Sequence, residues 1–126
     1  MNGENGRFYR CTHCGNFVFM IHNAGVPLVC CGQPMEALAP NADGAGEKHT
    51  PVVSVRGGEA TVSISDVAHP MLSEHWIGWI YLETSRGGQY RVLDPGDPPQ
   101  ATFRLAEDEQ VRAAYSFCNL HGLWKS

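Results

Sequence analysis

The 126-residue sequence contains no apolar run that approaches the ~20 residues needed to span a bilayer, which argues against a membrane protein. It also contains no run of lysine or arginine, and its net charge is −4 with histidine neutral. Nucleic-acid-binding proteins usually present a basic patch, so this class is disfavoured too. Residues 1–6 have neither the basic start nor the apolar core of a signal peptide, and we therefore expect a cytoplasmic protein.

Five cysteines are present, an odd number that pairing within one chain cannot satisfy. In a reducing cytoplasm, clustered thiols bind metals more often than they form disulfides. The hydrophobic content of 43% is sufficient for a folded core, and the charged content of 17% argues against a disordered chain. We therefore expect a small folded protein whose cysteines are metal ligands.

The cysteines and histidines divide the chain unevenly. Four of the five cysteines lie within residues 7–36, whereas four of the six histidines lie from His49 onward. Between them, residues 40–46 are small and polar and include two glycines, as a linker does. We predict one domain over residues 1–39, which is too short for a core of its own and is stapled by a metal. A second domain is predicted over residues 40–126.

The second domain shows the period-two alternation of half-buried strands. Two hairpins are predicted, one around Gly57-Gly58 and one around residues 85–88, and a further strand follows the turn at 96–99. The predicted strands are Pro51–Arg56, Ala60–Ser65, Trp76–Glu83, Gln89–Asp94 and Ala101–Leu105, with one more from about Val111. Residues 105–114 also carry helix formers, but every second residue from Val111 to Phe117 is apolar. Short strands in this number predict a mainly β protein with a sandwich fold.

The first candidate site is the cysteine cluster. Cys11 and Cys14 form a Cys-x-x-Cys pair, and Cys30 and Cys31 form an adjacent pair further along the chain. Four thiolates on such turns make a tetrahedral site suited to iron or zinc, and ligand type does not separate the two metals. The alternatives are a disulfide or buried free thiols. A zinc ribbon fits less well, because it normally closes with a second Cys-x-x-Cys.

The second candidate site consists of the remaining thiol and four histidines: His49, His69, His75, Cys118 and His121. The histidines fall mostly at the ends of predicted strands and in loops, where a β-scaffold can bring them together. Each could instead be an isolated core or surface histidine. Cys118 could also be a nucleophile with a histidine base, although no protease-type cysteine motif surrounds it. His13 and His22, near the cysteine cluster, are interpreted as bystanders.

Taken jointly, these motifs resemble those of the desulfoferrodoxin family, the two-iron form of superoxide reductase. The segments that resemble its N-terminal module are Cys11–Asn16 and Leu28–Met35. Those that resemble its catalytic segments are Glu47–His49, Val67–Met71, Glu74–Ile77 and Cys118–Gly122. The resemblance covers nearly the whole chain, and the motifs are specific as a set although each alone is weak.

The resemblance implies a desulforedoxin- or rubredoxin-like N-terminal domain followed by an immunoglobulin-like β-sandwich. It also implies two Fe ions per chain. One is an FeCys4 centre, held by Cys11, Cys14, Cys30 and Cys31, that transfers electrons as an accessory. The other is a mononuclear catalytic iron with His49, His69, His75 and His121 around its equator and Cys118 as the axial ligand.

The activity that the resemblance implies is the one-electron reduction of superoxide to hydrogen peroxide at Fe(II). Lys48 would attract the anion and orient water as a proton donor, and Glu47 would occupy the vacant position once the iron is ferric. The implied partners are superoxide, a small electron-donor protein such as a rubredoxin, and a second copy of the chain in a homodimer. No nucleic acid and no membrane partner is expected.

Two other function classes remain open at this point. One is an electron-transfer or binding module, in which the second iron would be coordinatively closed or absent. The other is a zinc hydrolase, which would be colourless and would need only about three protein ligands with an open water position.

Overall fold

The computed structural model describes residues 6–41, 49–65 and 69–126. Every regular element in these ranges is a β-strand. They accordingly contain no helix with the length and apolarity that a membrane span requires. The chain divides into two compact units, Met1–Pro40 and Asn41–Ser126. Most of the predicted linker at 40–46 falls outside the described residues.

The first unit is built from short strands. Its described strands are β1 (Phe8–Arg10), β2 (Phe17–Phe19), β3 (Val29–Cys30), β4 (Gln33–Pro34) and β5 (Glu36–Ala37). Strands β2, β1 and β5 form one antiparallel sheet in that order, and β3 and β4 form a separate hairpin.

The hydrophobic core of the first unit is small. Among its described residues, only Phe8, Cys11 and Leu38 are buried apolar side chains. Phe8 packs against Phe19 with ring centroids 5.3 Å apart. So small a core cannot offset the conformational entropy lost in ordering about 35 residues, which costs roughly 1–2 kcal/mol each for the backbone alone. The first unit therefore depends on another source of stability, as the metal-stapled domain predicted from the sequence would.

The second unit is a sandwich of two antiparallel sheets. Its described strands are β6 (Pro51–Arg56), β7 (Glu59–Ile64), β8 (Ile77–Thr84), β9 (Gly87–Val92), β10 (Gln100–Arg104), β11 (Val111–Cys118) and β12 (Gly122–Lys125). One sheet has the order β10-β7-β6 and the other the order β12-β11-β8-β9. This arrangement is the immunoglobulin-like type of sandwich, and the prediction of a mainly β protein with this fold is confirmed.

The alternation in sequence places one face of strand β7 in the core. In β7, Ala60, Val62 and Ile64 are buried, whereas the intervening residues are partly exposed. The buried residues of both sheets form one cluster, to which Cys118 belongs together with Ile77 and Leu82. The core of the second unit thus extends to the end of β11, where the candidate thiol lies.

The predicted hairpins form, with one difference in the position of a turn. Gly57 and Gly58 have φ of 55° and 82° and connect β6 to β7, as predicted. The second turn was predicted over residues 85–88, but Gly87 and Gly88 already belong to β9. The ring of Tyr81 on β8 lies across Gly88, so a side chain at Gly88 would collide with it. Gly88 is therefore a packing requirement inside a strand and not a turn residue.

Strand β12 is absent from the prediction, whereas the start of β11 at Val111 is confirmed. The Asn41 backbone N–H donates to the Leu123 carbonyl oxygen at 2.8 Å, and Asn41 Oδ1 accepts from the Lys125 N–H at 2.9 Å. β12 is thus held by β11 on one side and by the first residue of the second unit on the other. Its four residues carry too short an apolar pattern to be recognised in sequence.

Candidate metal centres

The four cysteines of the first unit meet at one point. The Sγ atoms of Cys11, Cys14, Cys30 and Cys31 all lie within 4.8 Å of one another. Cys14 Sγ is 3.7 Å from Cys30 Sγ, and Cys30 Sγ is 4.0 Å from Cys31 Sγ. Cys11 is buried, whereas Cys14 and Cys31 are exposed. The grouping has the size of a tetrahedral thiolate site that lies near the surface.

The turn between β3 and β4 explains how two adjacent cysteines reach one point. Cys31 and Gly32 form this two-residue turn and have φ of 53° and 75°. Hairpin turns of this kind require positive φ at both central positions. Cys30 ends β3 and Cys31 begins the turn, so the adjacent pair takes the place of the second Cys-x-x-Cys of a zinc ribbon.

Side-chain hydrogen bonds join the two cysteine segments. Gln33 Nε2 donates to Thr12 Oγ1 at 3.0 Å, which links the turn after Cys31 to the turn after Cys11. Asn16 Nδ2 donates towards Cys30 Sγ at 3.8 Å. Sequence analysis identified neither Asn16 nor Gln33. Both are polar residues within two positions of a cysteine, and that proximity is the signal that could have pointed to them.

The thiols of this cluster do not ionise equally. The hydrogen bond from the Cys14 backbone N–H lowers the pKa of Cys11 to about 6. Contact with the Cys14 thiol raises the pKa of Cys30 and raises the pKa of Cys31 to about 12. A bound cation deprotonates coordinating thiols outright, so a metal is what would keep all four as thiolates. The donor set fits a thiolate-binding metal. His13 and His22 are both exposed and belong to neither ligand group of the described residues.

The second group of ligands lies in the second unit. Ligand atoms of His49, His75, Cys118 and His121 all lie within 4.8 Å of one another. Cys118 Sγ is 3.7 Å from His121 Nδ1. The ring centroids of His49 and His121 are 4.6 Å apart, and those of His75 and His121 are 5.3 Å apart. Three imidazoles and one thiol thus surround a common point.

His69 lies beside this group but outside its 4.8 Å limit. Its ring centroid is 4.7 Å from that of His49 and 4.6 Å from that of His75. His69 Nδ1 lies 2.7 Å from the Pro70 carbonyl oxygen, and since a carbonyl only accepts, Nδ1 carries the proton and donates. Nε2 is therefore the ring atom with the free lone pair.

The environment of His69 fits a metal ligand. Burial, with a smaller contribution from the neighbouring imidazoles, lowers the pKa of His69 to about 4, so the ring is neutral near pH 7. Its Nε2 is buried and has no hydrogen-bond partner among the described residues. An unpaired buried acceptor costs about 1–3 kcal/mol. A metal ion at the neighbouring group would satisfy that lone pair, and a backbone carbonyl on the other ring nitrogen is the usual second contact of a metal-binding histidine.

A β-bulge places Cys118 at the site. Phe117 pairs with Trp79, but Cys118 pairs with Ile77, so Gly78 is the extra residue of β8. Bulges of this kind redirect side chains and occur often beside active sites. Cys118 and Ile77 are both fully buried as a result.

Asn119 connects Cys118 to the segment that carries His75. Its Oδ1 accepts from the Trp76 N–H at 2.8 Å, and its Nδ2 donates to the Glu74 carbonyl oxygen at 3.0 Å. The two residues that flank His75 are thereby bound to the end of β11. Sequence analysis did not single out Asn119, although a polar residue between two candidate ligands was a usable signal.

Two predicted site residues cannot be placed. Glu47 and Lys48, predicted to act beside His49, lie outside the described residues. Each of the nine predicted ligands lies within the described residues. Eight of them fall into the two groups, and His69 adjoins the second.

Models of known protein families match nearly the whole chain. The family described as Desulfoferrodoxin matches residues 41–126, and the one described as Desulfoferrodoxin, N-terminal domain, matches residues 3–38. The two matches correspond to the two compact units of the structure.

Individual relatives are similar over comparable lengths. The chain is 44% identical over 119 residues to the desulfoferrodoxin of Nitratidesulfovibrio vulgaris, which covers 94% of this chain and 93% of the relative. It is 34% identical over 103 residues to the superoxide reductase of Pyrococcus horikoshii, covering 68% of this chain and 90% of the relative. Among solved structures, it is similar to the superoxide reductase from Treponema pallidum, with a TM-score of 0.85 and 40% identity. That alignment covers 100% of this chain and 99% of the other.

Proposed function

This chain belongs to the desulfoferrodoxin family, and from that premise we propose that it is a superoxide reductase. The reaction joins superoxide, one electron and two protons to give hydrogen peroxide. The observation that carries this proposal is the convergence of three imidazoles and a buried thiol within 4.8 Å, with the ring of His69 beside them. Isolated core histidines, the alternative left open by the sequence, would have no reason to converge on one point.

The catalytic metal is proposed to be iron, which would be held by His49, His69, His75, Cys118 and His121. Bound Fe(II) would supply the electron and, with five protein ligands, one open position for a small anion. Cys118 supplies a thiolate from a fully buried place in the core, where it is shielded from competing reactions. The His69 ring is held in the tautomer that presents Nε2, because its Nδ1 donates to the Pro70 carbonyl.

The four-cysteine group is proposed to hold a second iron that transfers electrons. Four thiolates complete a tetrahedral set and leave no position for a substrate, so this centre has no direct part in the chemistry of superoxide. Exposed Cys14 and Cys31 give an external electron donor access to the centre. A small redox protein such as a rubredoxin is the proposed donor.

Glu47 and Lys48 are proposed to act at the open position. The support is their place in sequence, immediately before His49, and the similarity of the segment to the family motif. Lys48 would attract the superoxide anion and orient water as the source of protons. Glu47 would occupy the open position after the electron has been given up.

We also infer a homodimer in the cytoplasm. None of the five cysteines forms a disulfide, and a reducing compartment keeps thiols available for metal binding. The described part of the first unit exposes several large apolar side chains, which a second copy would cover: Phe17, Phe19, Ile21, Val26 and Val29.

The function is tested by metal analysis and by rapid mixing of the reduced protein with superoxide. We expect two irons per chain and loss of superoxide that is matched by oxidation of the catalytic iron and by formation of hydrogen peroxide. The redox-inactive alternative would be a colourless zinc protein that leaves superoxide untouched. A coloured iron protein whose reduced form fails to consume superoxide would favour an electron-transfer module.

A charge substitution tests the proposed role of Lys48. The net charge of −4 repels superoxide weakly, so any attraction must be local. In Lys48→Ile we expect the second-order rate constant to fall by roughly tenfold, at the lower end of electrostatic steering effects. The parent rate should decrease as salt rises, because screening acts over about 8 Å at physiological ionic strength. The rate of the variant should stay flat or rise with salt.

Two controls separate local charge from total charge. Lys48→Arg keeps the charge and should keep both the rate and its salt dependence. Arg56→Gln removes one positive charge from the far end of β6, roughly 17 Å further along the strand than Pro51 at about 3.4 Å per residue. This remote variant should behave like the parent. Equal salt slopes for the parent and Lys48→Ile would rule out electrostatic guidance by Lys48.

A further inference from the structure

His49 is the most buried of the four candidate histidine ligands. It precedes β6 and belongs to no strand, yet it is only 1% exposed. Its imidazole is stacked on the indole of Trp124, with ring centroids 5.1 Å apart and an angle of 18° between the ring planes. Trp124 itself is 2% exposed and lies on β12. A loop histidine is thus held face to face against a strand residue.

The strand pairing gives His49 a second contact from the same place. Ser116 on β11 is the direct cross-strand partner of Trp124, so the two side chains point to the same face of the sheet. Ser116 Oγ donates to the His49 carbonyl oxygen at 3.3 Å in a buried environment. Trp124 therefore fixes the ring of His49 while Ser116 fixes its backbone.

The contact made by Trp124 uses the face of the indole and not its N–H group. Buried tryptophans usually place Nε1–H against an acceptor. Trp124 Nε1 is buried and has no hydrogen-bond partner in the described parts of the chain. An unpaired buried donor is destabilising, so the N–H group of Trp124 adds nothing to stability and its contribution here comes from the ring.

Stacking on an indole favours an imidazole that carries positive charge. The face of an aromatic ring is electron-rich and attracts cations placed over it. An imidazole that donates its lone pair to a metal ion becomes more positive, so the stack is stronger with the metal bound than without it. The same contact also limits rotation of the ring about its Cβ–Cγ bond before any metal arrives.

We propose that Trp124, together with its cross-strand partner Ser116, is a positioning residue that orients His49 for metal binding. The inference rests on the proposed function only in that His49 must be a ligand. The same hairpin carries Cys118 and His121 on its own backbone. Strands β11 and β12 would thus set the relative positions of three of the five ligands.

The test measures Co(II) affinity of the full chain by competition with a chelator, beside thermal unfolding of the metal-free protein. In Trp124→Leu we expect Co(II) at the histidine site to bind about tenfold more weakly, the size of effect typical for residues that orient metal ligands. Trp124→Phe keeps a stacking ring and loses no hydrogen bond. It should bind within about twofold of the parent. The four-cysteine site in the same chain serves as an internal reference whose affinity should not change.

A matched control lies on the opposite face of the same sheet, where Trp79 is on β8 and Phe117 is on β11. Trp79 stacks on Phe117 with centroids 5.8 Å apart and 8° between planes. Phe117 follows Ser116 in β11, so its side chain points away from His49. Trp79→Leu should lower the unfolding temperature of the metal-free protein without weakening Co(II) binding.

The possible outcomes separate the inference from the proposed function. Equal Co(II) affinity in Trp124→Leu and the parent, with only a lower unfolding temperature, would reduce Trp124 to a packing residue and overturn the inference. The inference also fails if Trp124→Phe is as weak as Trp124→Leu, because the ring would then not be the active feature. A parent that binds no Co(II) at the histidine site would instead overturn the metal assignment on which the proposed function depends.

Discussion

Replacing Cys118 by serine is expected to abolish reduction of superoxide and to remove the sulfur-to-iron charge-transfer absorption of the oxidised protein. A serine hydroxyl is a far weaker donor than a thiolate and is not ionised near neutral pH, whereas thiolates are readily formed at a metal. We expect activity to fall more than about 100-fold, because even residues that only support a ligand contribute about 10- to 100-fold. Stopped-flow rates and visible spectra of the iron-loaded variant measure both effects.

The buried position of Cys118 requires a control for folding. Its side chain belongs to the sandwich core, where an unpaired serine hydroxyl costs about 1–3 kcal/mol. Cys118→Ala removes the sulfur without adding a polar atom and should retain the fold with the same loss of activity. If either variant, once shown to be folded, keeps the absorption band and the rate, Cys118 is not a ligand of the catalytic metal.

Cys30→Ser is expected to affect the first unit and to leave the second unit intact, whereas Cys118→Ser affects the second. The visible absorption of the FeCys4 centre should disappear, and backbone amide exchange throughout residues 6–40 should become fast. The reason is that Phe8, Cys11 and Leu38 are the only buried apolar side chains described there, so the metal supplies most of the folding free energy. Exchange within the sandwich should remain slow.

The catalytic rate separates an accessory centre from an essential one. Cys30→Ser that has been reduced chemically should consume superoxide as fast as the parent, since the five ligands of the other site are intact. It should fail only when electrons must arrive from a protein donor. Loss of the superoxide reaction in the pre-reduced variant would contradict the accessory role. Cys118→Ser, with the opposite pattern of absorption and activity, is the natural comparison.

Much of the architecture could be predicted because it depends on local sequence. Alternation of apolar residues predicted the strands, and Gly57-Gly58 predicted a turn that only positive φ allows. The cysteine cluster was predicted from its spacing, whereas the full histidine and cysteine ligand set was implied by the resemblance to the family. The second turn was misplaced because Gly88 lies inside a strand, where the ring of Tyr81 leaves no room for a side chain. This contact between strands is not visible in any local sequence pattern.

The residues that organise the sites were not predicted, and the reason is again physical. Asn119, Ser116 and Trp124 act through partners that are distant in sequence, and their residue types are common in loops and cores. Only the register of β11 against β12 brings Ser116 opposite Trp124. The sequence therefore indicates candidate metal ligands, whereas the fold indicates which residues position them.

The separation along the chain of the residues that meet at each site has a consequence for biosynthesis. Cys11 and Cys30 are 19 positions apart, so the four-cysteine group can close soon after its segment leaves the ribosome. The contact between His49 and Ser116 spans 67 positions. Closing so long a loop costs more conformational entropy than closing the 19-residue loop, and we expect it to be slower. The histidine site can exist only after the last strand has been synthesised and paired. We therefore expect the four-cysteine group to be able to bind a metal earlier in synthesis than the histidine group.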